Sequence, residues 1–269
     1  MSTWTTARAL DHVEAPLYPQ HSSDSRPPEP PYWVTPRHLA GDDEALADQV
    51  GAALAAADWR MWPTARDTLL YTSPTGLCGA EWTRAACSFE LGDLPVAWQI
   101  SARSHPGSTL PEWNAYFTAG VPHETLIDFL LALDAHTEPA FCFDSPEAVL
   151  AAVCAQGWAR DIDRPRTAAL APGLTAGISL EEVPSLVRDA DPRPGRLGWQ
   201  AWAEPRVGDA YLWCAAFSGS TPHDLVAVFA SSLASPHPVQ RSSLPAGVEG
   251  QLTVIHPGSQ RQRKARGPE

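Results

Sequence analysis

The sequence predicts an α+β fold of two pseudo-symmetric repeats, each a curved antiparallel sheet of about four strands with flanking helices. Three observations carry this. First, one stretch occurs twice: WQISARSHPGSTLPEWNAYFTAGVPHETLIDFLLAL from Trp98 to Leu133, and WQAWAEPRVGDAYLWCAAFSGSTPHDLVAVFASSL from Trp199 to Leu233. Trp98 and Gln99 answer Trp199 and Gln200. Trp113, Ala115 and Phe117 answer Trp213, Ala215 and Phe217. Pro122 and His123 answer Pro222 and His223, and Phe129 and Leu133 answer Phe229 and Leu233. Self-similarity of this kind marks a duplicated unit. Second, the middle of each copy alternates with the period of a strand. Third, each copy closes on a helix with one apolar stripe.

Residues 1–31 are rich in proline, serine and charge (HSSDSRPPEPP) and read as a disordered lead-in. The first repeat spans 32–136. Asp42, Asp43 and Glu44 precede Leu46, Val50 and Leu54, which recur every fourth residue. Acids in a first turn favour a helix start, and this helix ends near Asp58 and Trp59. The second repeat spans 137–237. Its opening helix runs from Asp144 to Trp158, with Ser145 as N-cap, Pro146 at the first helical position and Gly157 as the stop.

After each helix come short strand-like runs separated by turn residues, the pattern of a hairpin. These are Thr68 to Thr72, Ser73-Pro74-Thr75-Gly76 and Leu77 to Thr83 in the first copy. The second has Thr167 to Leu170, Pro172-Gly173 and Leu174 to Leu180. The runs Val96 to Ala102 and Glu112 to Thr118 answer Gly198 to Ala203 and Ala210 to Ser218. Trp113, Ala115 and Phe117 alternate with Asn114 and Tyr116, as in a half-buried strand. Tyr211 to Phe217 is apolar on both faces, which points to a central or doubly covered strand. Thr221, Pro222 and Asp224 match a capping box for the closing helix. Leu225, Val228, Phe229 and Leu233 form its stripe, as Leu126, Phe129, Leu130 and Leu133 do in the first copy. In the tail, 238–269, Gln251 to Ile255 suits one short edge strand, and RQRKARGPE is a basic, disordered end.

The chain has 269 residues, 44% of them hydrophobic, and a formal charge of -12. This argues against a broad electrostatic grip on duplex nucleic acid or anionic lipid, while leaving room for a local basic face. There is no apolar run of spanning length and no leader pattern, so the expected location is the cytoplasm, with no membrane partner. The five cysteines, Cys78, Cys87, Cys142, Cys154 and Cys214, include no C-x-x-C pair and read as buried free thiols; no metal or other cofactor is expected.

The turn at Ser73 and Pro74, the strand with Trp113 and Phe117, and the helix start Thr221 to Val226 resemble a streptomycete domain family of unknown function. That family is named for a serine-proline-aspartate-tyrosine motif and often occurs in tandem. Thr75 and Gly76 stand where the motif has its acid and tyrosine, and the second copy reads Ala171-Pro172-Gly173. The resemblance implies a tandem α+β protein and brings no catalytic residues. The order of four strands then a helix also looks like the repeats of single-strand nucleic-acid binders of the PUR and Whirly type.

Aromatics on an open sheet face with nearby arginines can stack unpaired bases. Of the strand tryptophans Trp82, Trp98, Trp113, Trp199, Trp202 and Trp213, Trp202 is out of phase with Trp199, and Tyr116 with Trp113 and Phe117, so both are expected on the face turned from the core. With Arg103 and Arg206 they make the candidate nucleic-acid surface, and Arg60, Arg84, Arg164 and Arg166 extend it. His123 and His223 precede Glu124 and Asp224 at the start of the closing helices, but neighbours on a helix point apart and the acids are expected to cap. No nucleophile elbow, Walker loop or dinucleotide fingerprint is present, and an enzyme is not expected. The leading expectation is a non-catalytic nucleic-acid-binding protein preferring single strands. The alternatives are a protein-interaction module using the same face or the helices, and an uncharacterised enzyme with a cleft between the repeats.

Overall fold

The computed structural model describes residues 32–41, 46–64, 68–83, 90–182, 197–244, 246–248 and 250–255. The lead-in and the basic end lie outside these residues, as do Arg84 and Cys87.

The α+β class is what the chain adopts. The strands of the two repeats do not form two sheets, however. They join edge to edge in one antiparallel eleven-stranded sheet. Residues 60–118 supply β2 (Arg60–Pro63), β3 (Thr68–Thr72), β4 (Cys78–Thr83), β5 (Glu90–Leu91), β6 (Leu94–Ala102) and β7 (Trp113–Thr118). Residues 159–217 supply β8 (Ala159–Arg160), β9 (Ala168–Leu170), β10 (Ala176–Glu182), β11 (Leu197–Ala203) and β12 (Trp213–Phe217). The order is β2-β3-β4-β6-β7-β12-β11-β10-β9-β8, with β5 folded against β6. Each half therefore counts inward from its own edge, and the halves meet at β7 and β12. There Ala115 faces Phe217, Tyr116 faces Ala216, and Phe117 faces Ala215. Every residue of both strands is buried. For β12 the two-sided apolar pattern announced this. For β7 the polar alternation of Asn114 and Tyr116 concealed it.

The helices α2 (Leu46–Ala56), α3 (His123–Ala135), α4 (Glu147–Cys154) and α5 (His223–Leu233) pack on one face, with α3 and α5 over the central strands. Phe117 and Phe129 from the first half meet Phe217 and Phe229 from the second, with ring centroids 5.1 to 5.7 Å apart. Burying four such rings is a large apolar contribution, and their tilted and edge-on contacts add to it. This cluster fills the junction between the halves, where the enzyme reading expects a cleft.

The indole Nε1 of Trp113 donates to the Pro139 carbonyl at 2.6 Å, and that of Trp213 to the His38 carbonyl at 2.9 Å. Each repeated tryptophan thus ties down a loop or short helix as well as filling the core. His38 itself is pushed down to about 4 by burial, so it is neutral near pH 7. It lies within α1 (Arg37–Ala40), which follows β1 (Tyr32–Thr35). β1 sits between β13 (Val239–Arg241) and β14 (Thr253–Ile255) in a second, three-stranded sheet. The tail strand is where the sequence placed it, at an edge; β13 was not foreseen.

Local signals held in part. Gly157 and Gly173 take positive φ, at the helix stop and the hairpin turn. Ser145 Oγ accepts from the Glu147 amide at 3.3 Å, as a cap does. The capping box at α5 does not form. Thr221 Oγ1 turns to Ser218 and to the Asn114 carbonyl, helping to bind the end of β12 to β7, and Asp224 is drawn to His136. A tertiary partner outweighed the local one.

Candidate interaction face

The face of the sheet turned away from the helices is the site the sequence singled out. Strand register sets its composition, because alternate residues of each strand project there. One row runs across it: Trp62, Leu70, Glu81, Gln99, Tyr116, Ala216, Gln200 and Ser179, each paired with the next. A second holds Thr118, Cys214, Trp202 and Gly177. The row is mostly uncharged. Gln99 donates from Nε2 to Asn114 Oδ1 at 3.3 Å, and Thr68 Oγ1 donates to Glu81 at 2.6 Å.

The two aromatics behave differently from a stacking platform. Tyr116 does point away from the helices, but it is only 3% exposed. It belongs to a small second core with Leu91, Val96, Cys214 and Ala216, against which Trp202 packs. The short β5–β6 hairpin folds over this cluster. At its tip, a Cβ on Gly92 would fall 2.6 Å from the Tyr211 ring, so glycine permits the approach. Trp202 is half-buried and lies against Gly177, where an added Cβ would fall 2.5 Å from the indole. Both side chains point away from the helices, and the β5–β6 hairpin covers that same side.

The arginines are scattered. Arg60 is exposed on β2, opposite Thr72 at one edge. Arg103 is half-buried in the β6–β7 loop, its backbone amide held by the Leu77 carbonyl at 2.9 Å. Arg206 is exposed in the β11–β12 loop, and Arg166 in the turn between β8 and β9. Arg164 is committed to carboxylates, 2.6 Å from Glu181 and 3.8 Å from Asp161. That hydrogen bond and charge hold Glu181 below its ordinary range. Seven strand spacings separate β2 from β10, roughly 34 Å on a flat sheet, so Arg60 and Arg164 do not act together. The structure brings Tyr116 and Trp202 together and leaves the cations apart.

Sequence reasoning missed the exposed edge. Trp62, 52% exposed, and Met61 stand out from β2, all four residues of which are exposed. The signal was a short aromatic run ending in Pro63, the form of an edge strand. The cysteines also divide: burial pushes Cys78 and Cys214 up to about 12, whereas Cys142 is exposed and not buried as expected. Among the described residues no cluster of His, Cys, Asp and Glu could hold a metal, and no helix is long and apolar enough to cross a membrane.

Two segments of the chain match one family model. Residues 72–140 and 185–239 both match SPDY, a domain of unknown function (DUF317). The segments cover β4 to α3 and β11 to α5, so the tandem arrangement read from the repeated tryptophans is recovered by the match. No curated protein and no solved structure matches the chain, and the likeness to PUR and Whirly repeats is without support.

Proposed function

We propose that this chain is a non-catalytic protein-interaction module that docks a partner on the helix-free face of its sheet. The observation that carries this reading is the charge of that face. A phosphate backbone needs a run of free cations. Here Glu81 and Glu181 project from β4 and β10, each the third strand from its edge, Arg164 is neutralised, and Arg60 lies at one edge, far from Arg164. What the face offers instead is amides and hydroxyls, bounded by the exposed Trp62 and the half-buried Trp202. Such a mixture of polar groups with aromatic anchors is what protein interfaces use. Nucleic-acid binding is the competing reading, and the same surface tests both.

A photo-crosslinking residue at Gln99, exposed near the middle of the face, should yield an adduct in cell extract that survives nuclease and is destroyed by protease. Trp62→Ser should weaken it. Single- and double-stranded oligonucleotides should not bind at low salt. Oligonucleotide binding that weakens steeply with salt would replace this reading with the nucleic-acid one.

A further inference from the structure

Where α3 meets the last turn of α5, a pocket of about 510 Å3 opens on the helical side, within the size range of small-molecule sites. Its floor is charged. Arg37, 11% exposed, donates from Nη1 to the carbonyl of Ser232 at 2.9 Å and to its hydroxyl at 2.8 Å. Its Nε is buried and has no hydrogen-bond partner among the described residues. Asp128 Oδ2 lies 3.8 Å from the same guanidinium and accepts the Ser232 hydroxyl; both contacts fall on one oxygen, and the carboxylate is half exposed. Leu131 and Val228 give the rim an apolar side, and His237 stands at its border.

These groups select against most small ligands. A bare anion would meet Arg37 but also Asp128 and the negative end of the α5 dipole. A bare cation would meet Asp128 but also the guanidinium. An apolar molecule would strip water from both charges without replacing it. A molecule with opposite charges on neighbouring atoms satisfies the whole floor. In an α-amino acid the ammonium nitrogen and the carboxylate oxygens are about 3 Å apart, short enough to face Arg37 and Asp128 together, whose charged atoms lie 3.8 Å apart. We propose that the pocket binds a free α-amino acid with an aliphatic side chain. The carboxylate faces Arg37, the ammonium faces Asp128 and the end of α5, and the side chain lies against Leu131 and Val228. This site is separate from the sheet face and does not depend on the docking reading.

The test is calorimetric titration of the full chain with L-leucine, 3-methylbutylamine and 4-methylpentanoate, the last two lacking one charge each. Leucine should bind, and each analogue should bind at least about tenfold more weakly. Asp128→Asn should abolish leucine binding while circular dichroism shows the fold intact. Should that variant unfold, Val228→Trp on the exposed rim should block the pocket with the same result. Absence of leucine binding up to about 20 mM, where even a weak site would fill, or equal binding of either analogue, overturns the proposal.

Discussion

Glu124 and Asp224 occupy the same place in the two halves, second in the closing helix, yet their partners differ in kind. Glu124 receives Arg241, which lies on β13 beyond the other half's closing helix. Asp224 receives His136, the residue just past α3, at 2.7 Å. His136, at the end of the first half, and Arg241, in the tail just past the second, thus each brace the start of the opposite closing helix. Arg241 is fully buried, donates from Nη1 and Nη2 to the two carboxylate oxygens, and spends Nε on the Ala40 and Gly41 carbonyls. His136 sits nearer the surface with a half-exposed aspartate. The two acids match in position, but one is held by a fully buried arginine and the other sits in a contact open to water.

The largest break in this comparison is Arg241→Met. It leaves the half-buried Glu124 without its main partner and the Ala40 and Gly41 carbonyls without their donor, and should cost about 3–5 kcal/mol in urea unfolding. A cost below ~1 kcal/mol would show that the buried brace is no stronger than a surface pair. Acid should expose the same asymmetry. Burial alone would raise Glu124, but the hydrogen bonds and charge of Arg241 outweigh it and hold the carboxyl below its ordinary value. A lowered carboxyl contributes fully above the ordinary range near 4.3, and the contribution is lost as pH falls through the folded value. Glu124→Gln should therefore flatten the acid limb of stability against pH. On the sheet, Gly177→Ala forces a methyl into the Trp202 ring and should cost about 1–3 kcal/mol. Its counterpart Gly79→Ala, where the nearest atom is 3.5 Å away, should be tolerated. Smallest of all, His136→Gln should cost at most about 1 kcal/mol; a larger loss would make the two braces equals.

What the sequence made legible was local or periodic. The closing helices, the hairpin turns at Gly76 and Gly173 and the inward tryptophans all follow from spacing and backbone preference. The union of the halves at β7 and β12 rests on pairing between residues a hundred positions apart, and polar Asn114 and Tyr116 disguised one of the two strands. The candidate face was legible in direction alone. Trp202 and Tyr116 do point from the core, but the hairpin tip at Gly92 that covers them, and the capture of Arg164 by Glu181, are tertiary events that charge and hydropathy along a chain do not record. The same holds for Asp224, whose expected capping role gave way to His136.

The strand near the start, β1, is flanked by residues 239–241 on one side and 253–255 on the other. A ribosome releases these neighbours only after both copies of the repeat have been made. Until then Tyr32 to Thr35 have no strand to lie against, however early they leave the exit tunnel, while both copies of the repeat are already available to pair. Strand β1, made before either copy, therefore settles after both, and deleting residues 239–255 should loosen Tyr32 to Thr35.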